Sequence, residues 1–151
     1  MRTKISVPKR RNDTFRRERL INQLKSYLEF KLIMVSAPAG YGKTTTIVDF
    51  ISEAKIPTSW YSLDEYDQDL YRFISHFIGC ISVRFPEFGK DSIELLHQMN
   101  RGEINIETMV SIIINDIYDH IFEHFIIVLD DFHLVVENEE VVAFISRFLE
   151  Y

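Results

Sequence analysis

Ala37-Pro38-Ala39-Gly40-Tyr41-Gly42-Lys43-Thr44 decides the reading of this chain. The stretch fits the phosphate-binding loop pattern, in which a first glycine is followed, after four intervening residues, by glycine, lysine and a hydroxyl residue; Ala37 stands where the pattern usually has its first glycine. The chemistry explains the spacing. Gly40 and Gly42 let the backbone turn tightly, so that N–H groups of the stretch from Ala37 and Pro38 through Thr45, all but that of proline, point at phosphate oxygens, and a helix that follows offers its positive end to the same anion. Lys43 supplies a flexible charge for the β- and γ-phosphates, and the Thr44 hydroxyl is placed to ligate Mg²⁺.

The flanks supply the context that the motif demands. Leu32 to Ser36 is an apolar run too short for a typical helix, and it reads as a fully buried parallel strand entering the loop. A helix is expected from about 42 to 54. Upstream, Leu20, Ile21, Leu24 and Leu28 mark an amphipathic helix over 18–28. Downstream, 58–63 reads as a second strand ending at Asp64-Glu65-Tyr66-Asp67, followed by helices over 69–85, 91–99 and 106–122. Phe125-Ile126-Ile127-Val128-Leu129 is a third buried strand stopping at Asp130-Asp131, and helical spacing returns from 139. Alternating strands and helices specify an α/β fold with a parallel sheet, in which ligands bind at the carboxyl ends of strands. All three polar clusters fall at such ends.

Asp130 and Asp131 look like a Walker B segment, with Asp130 on Mg²⁺ and Asp131 placed to orient or deprotonate a water. His120 and His124 stand one helical turn apart but lack further ligands at recognised zinc spacing, and His133 reads as packed or solvated. Phe73, Phe77 and Phe122 lie on apolar stripes and are expected in the core.

Composition agrees with a globular domain: hydrophobic residues make up 46% and charged ones 26%. No apolar run approaches the roughly 20 residues that span a bilayer, and the basic N-terminus lacks the apolar stretch of a secretory signal, so a cytoplasmic location is expected. Cys80 falls on an apolar helical face and reads as a buried, inert thiol. Charge is uneven. Residues 1–19 carry eight bases against two acids, or +6, while the remaining nine bases and 21 acids give −12. Most of the surface would repel nucleic acid, so no direct DNA binding is expected. The division implied is a basic arm over 1–19 and a P-loop domain over 20–151.

With these residues placed, the chain resembles the N-terminal nucleotide-binding part of the MalT-like large ATP-binding transcription activators, a branch of the STAND P-loop ATPases. The likeness rests on Lys4-Ile5-Ser6-Val7-Pro8, Arg17-Glu18-Arg19-Leu20, Val35 through Thr45, Trp60-Tyr61-Ser62-Leu63-Asp64-Glu65 and Val128-Leu129-Asp130-Asp131-Phe132-His133-Leu134. It implies ATP and Mg²⁺ as cofactors and matches Arg17 and Glu18 to an arginine-glutamate motif that helps hold the nucleotide. Arg16 stands where that motif has a small or aliphatic residue. The resemblance also implies an ATP-dependent switch whose inducer-sensing repeats and LuxR-type helix-turn-helix have no counterpart in these 151 residues.

The strand order implied is 5-1-4-3-2, which puts strand 4 between the phosphate-loop strand and the Walker B strand. No fourth strand is legible here, so the expectation is a fragment with weak or no ATP turnover, whose open strand edges favour self-association or association with a full-length relative. Two other readings compete. One is a small-molecule phosphotransferase with Asp64 or Asp67 as base, and the other is a non-catalytic interaction fragment.

Overall fold

A computed structural model of the chain describes residues 2–9, 15–99 and 104–151. Arg10 to Thr14 of the basic arm lie outside the described residues. Two compact units are present: Met1–Ser6 with Pro57–Tyr151, and Val7–Ile56.

The larger unit is mixed α/β. Strands β1 (Thr58–Ser62) and β2 (Ile126–Asp130) pair in parallel, running from Thr58 opposite Ile126 to Ser62 opposite Asp130. Parallel neighbours need a long crossover. Helices α3 (Leu70–Arg84), α4 (Lys90–Gln98) and α5 (Ile106–His120) supply it, and α6 (Glu139–Glu150) follows β2. In α3 the three-to-four spacing of Leu70, Phe73, Ile74, Phe77, Ile78 and Ile81 puts all six into the core. Phe144 of α6 meets Phe73 and Phe77 edge-on, with ring centroids 5.9 and 5.5 Å apart. Cys80 is buried against α3's own turn, its thiol 3.1 Å from the Phe77 carbonyl, and burial pushes it up to about 12.

Side chains fix the helix starts. Asp69, Asn105 and Asn138 each accept a backbone N–H two or three residues into α3, α5 and α6, at 2.7, 2.9 and 3.0 Å. Such caps are worth about 1 kcal/mol each. Helix α4 takes its cap from elsewhere: the buried Asp116 carboxylate of α5 accepts the Gly89 and Ser92 amides, both at 3.2 Å, and the Ser92 hydroxyl at 2.7 Å.

The smaller unit contains α1 (Glu18–Ser26) packed on α2 (Lys43–Ala54). Three sequence expectations are corrected. Leu32 to Ser36 forms no strand: the segment carries no ladder, and Leu32, Met34 and Val35 are exposed. In the strand order that the resemblance implies, its neighbours are strands 4 and 5, and no described residue supplies either, so nothing receives its N–H and C=O groups. The third predicted strand is half-buried rather than fully buried, because β2 has one partner and an unpaired edge among the described residues. Phe122, expected in the core, is 87% exposed; α5 stops at His120, and the helical register that would turn it inward stops with it.

Candidate functional site

The phosphate-loop residues and Arg17 fall in the smaller unit, Asp130 and Asp131 in the larger. In the smaller unit, Gly40 and Gly42 adopt φ of +80° and +76°, the left-handed region that side chains disfavour. The Tyr41 amide donates to the Pro38 carbonyl at 3.4 Å, closing the turn. Gly42 is the N-cap of α2, and no side chain caps that end. The first turn carries no acid, and Lys43, Thr44 and Thr45 occupy it. An uncapped helix start without a carboxylate has the polarity that an anion requires. The Lys43 ammonium donates to the loop's own carbonyls, Ala37 at 2.7 Å and Pro38 at 3.3 Å, and so lies over the loop rather than out in solvent.

Arg17 closes the other side. A Cβ built on Gly42 would come within 3.7 Å of Arg17 Nη2 and 3.9 Å of its Cζ, so the guanidinium lies beside the loop. The Arg17 carbonyl accepts the Leu20 and Ile21 amides at 3.0 and 3.1 Å, which makes it the first residue to anchor α1. Its neighbour Arg16 pairs with Glu53 of α2, and the same carboxylate takes Lys25 from the last turn of α1. Nothing in the local sequence pattern marks Glu53, which stands 37 residues from Arg16 and 28 from Lys25.

In the larger unit, the Asp130 carbonyl accepts the Leu63 amide at 3.0 Å, which extends the β1–β2 pairing one step beyond the ladder. Asp131 sits in the left-handed region, with φ 59° and ψ 33°, and its side chain is half-exposed. The reciprocal bonds Gln68 Nε2 to the Leu134 carbonyl (3.1 Å) and Asn138 Nδ2 to the Gln68 carbonyl (2.8 Å) tie the turn after β1 to the segment after β2.

Asp67 lies at the base of that turn, fully buried. It receives Lys4, Arg72 Nε at 3.1 Å, the Asp64 amide at 2.8 Å and His76 Nδ1 at 3.3 Å. Burial pushes its carboxyl up, but the Lys4, Asp64 and Tyr61 hydrogen bonds outweigh that and hold it below the usual carboxylate range. Burial also pushes His76 down and the Tyr61 hydroxyl up. Asp64 bonds Lys4 at 2.8 Å and Arg72 at 3.4 Å, and it caps the 3-10 turn Glu65–Gln68 through the Tyr66 amide at 3.0 Å. Asp67, expected with Asp64 as a candidate base in a phosphotransferase, has no exposed surface through which a substrate hydroxyl would reach it. His120 Nδ1 lies 2.9 Å from the Asp116 backbone carbonyl within α5 and 3.0 Å from Asp116 Oδ1. Among the described residues no three His, Cys, Asp or Glu gather into a metal-holding group, and no helix is long and apolar enough to cross a membrane.

No protein-family model matches the chain. Curated relatives do. The chain is 31% identical over 147 residues to the HTH-type transcriptional regulator MalT of Yersinia pestis, and 30% over 148 residues to that of Serratia proteamaculans; 96% of the chain is covered in each case. The protein of the same name from Vibrio parahaemolyticus is 28% identical over 149 residues, or 99% of the chain. The chain is MalT-like. It spans 16% of the length of each of these MalT regulators.

Proposed function

We propose that this MalT-like chain is a Mg²⁺-dependent ATP-binding nucleotide-switch module of a cytoplasmic transcriptional regulator, built on the P-loop NTPase plan. The observation that carries the reading is the smaller unit's loop: two left-handed glycines, an overlying lysine and a flanking arginine at the uncapped start of a 12-residue helix. Those groups fit a polyphosphate, because the helix start, Lys43 and Arg17 offer it donors and positive charge.

In this reading the backbone N–H groups between Ala37 and Thr45, with Pro38 contributing none, would bind phosphate oxygens, and Lys43 would exchange its two carbonyl partners for the β- and γ-phosphates. Arg17 would add a second cation, and the Thr44 hydroxyl would ligate the metal. Bound Mg²⁺ would neutralise phosphate charge. In this reading the role of binding is to switch state. The phosphotransferase alternative loses its best base with the burial of Asp67. The interaction-fragment alternative makes the phosphate loop irrelevant.

Calorimetric titration with Mg²⁺–ATP and Mg²⁺–ADP, on the wild type and on Lys43→Ala, tests the proposal. Binding that the substitution weakens at least tenfold is expected. A folded wild type that binds neither nucleotide, or binding indifferent to Lys43→Ala, overturns it.

A further inference from the structure

We infer that Glu53 is a positioning residue for the nucleotide: it clamps α1 at both ends and so holds Arg17 against the phosphate loop. The inference rests on the nucleotide-binding reading above and adds to it a residue outside the loop.

Among the described residues Arg17 is anchored through its backbone, which begins α1 by accepting the Leu20 and Ile21 amides. Its guanidinium is therefore placed by wherever α1 starts. Helix α1 has nine residues, too few to be stable alone in water, and no side chain caps its first turn. Ile21, 1% exposed, is its buried apolar contact, with Leu20 and Leu24 partly buried on the same face. Glu53 adds a polar hold at each end. One carboxylate oxygen takes Arg16, two residues before α1, and the other takes Lys25, in its last turn. Contacts at both ends of a short helix fix its rotation and slide, whereas a contact at one end fixes neither.

The three side chains are part-buried, with 31% of Glu53, 35% of Lys25 and 48% of Arg16 exposed, so the pairs are modest and screened by salt. A modest energy suffices to keep Arg17 from pivoting away. Simple Coulomb reasoning predicts the opposite sign for a Glu53 variant: removing a carboxylate from the phosphate-binding unit should strengthen binding of an anion. The direction of the effect therefore separates positioning from bulk charge.

The test is a double-mutant cycle on Mg²⁺–ADP affinity with Glu53→Gln, Arg17→Ala and the pair, melting temperatures being recorded in parallel. Glu53→Gln should weaken binding about fivefold despite the less negative charge, and should add less than twofold in the Arg17→Ala background. Arg16→Gln and Lys25→Gln, each removing one arm of the clamp, should give intermediate losses and keep the inference testable if Glu53→Gln folds poorly. Unchanged or tighter binding by Glu53→Gln overturns the inference, as does a loss of equal size in both backgrounds, which would mark Glu53 as a general stabiliser of the unit. A wild type that binds Mg²⁺–ADP while Glu53→Gln behaves identically overturns this inference alone. A wild type that binds no nucleotide overturns the parent reading as well.

Discussion

At the residue scale, Asp67 carries the clearest consequence. Its folded carboxyl titrates below its ordinary value of 3.8, so the folded chain binds fewer protons there than the unfolded chain does. The stability this gives is complete above 3.8 and is lost as pH falls through the folded value. His76 is depressed below 6.5 by burial, and its neutral form is the one the fold accepts; that contribution is complete above 6.5 and is lost as pH falls from there to the folded value. Both act in the same direction. Urea titrations should show the unfolding free energy falling below pH 6.5 in an upper and a lower stage, with His76→Gln flattening the upper one. Stability that rises on acidification would contradict the assignment. Two phenylalanines make a sharper contrast. Phe73, with no exposed surface and two aromatic neighbours in α3 and α6, should cost about 3–5 kcal/mol as Phe73→Ala. Phe122→Ser, at 87% exposure, should stay within about 0.5 kcal/mol of wild type. Chemical denaturation measures both.

At the element scale, the helices were legible because their cause is local. The apolar stripe of α3 lies on one face whatever the rest of the chain does, and Asp69, Asn105 and Asn138 announce three starts to within a residue. The pairing of the second and third strand-like segments, β1 with β2, also agrees with the adjacency of 3 and 2 in the order that the resemblance implies. Leu32 to Ser36 was misread because a strand exists only with a neighbour, and apolar composition says that a partner is wanted without supplying one. The 3-10 turn Glu65–Gln68 was missed although its capping box, Asp64 with Asp67, is written in the sequence. Hydrogen exchange separates the cases: amides of 32–36 should exchange at nearly unprotected rates, while Trp60 to Ser62, held in the β1–β2 ladder, exchange far more slowly. Protection of 32–36 comparable to that of β1 would mean that the segment is paired after all.

At the scale of the whole molecule, the candidate site was legible where it is contiguous and illegible where it is not. Ala37 to Thr45 could be read as a loop because one turn of backbone contains its chemistry. Arg17 entered through the resemblance and was found beside Gly42. The Lys4–Asp67 contact, 63 residues apart, and the Arg16–Glu53–Lys25 clamp depend on tertiary folding and have no signature in either segment alone. The basic arm is likewise not simply a solvated tail, since Lys4 is committed to a buried carboxylate. The chain spans 16% of the length of the MalT proteins it matches, and the proposal that its phosphate loop binds nucleotide is the claim on which the account stands. Its most direct test is a residue-resolved NMR titration with Mg²⁺–ADP. The account predicts that the amides of Gly40 to Thr45 shift first and furthest, with Arg17 following, and that Lys43→Ala abolishes the shifts. Saturating shifts confined to other residues, or none in a chain whose spectrum is dispersed, would contradict it.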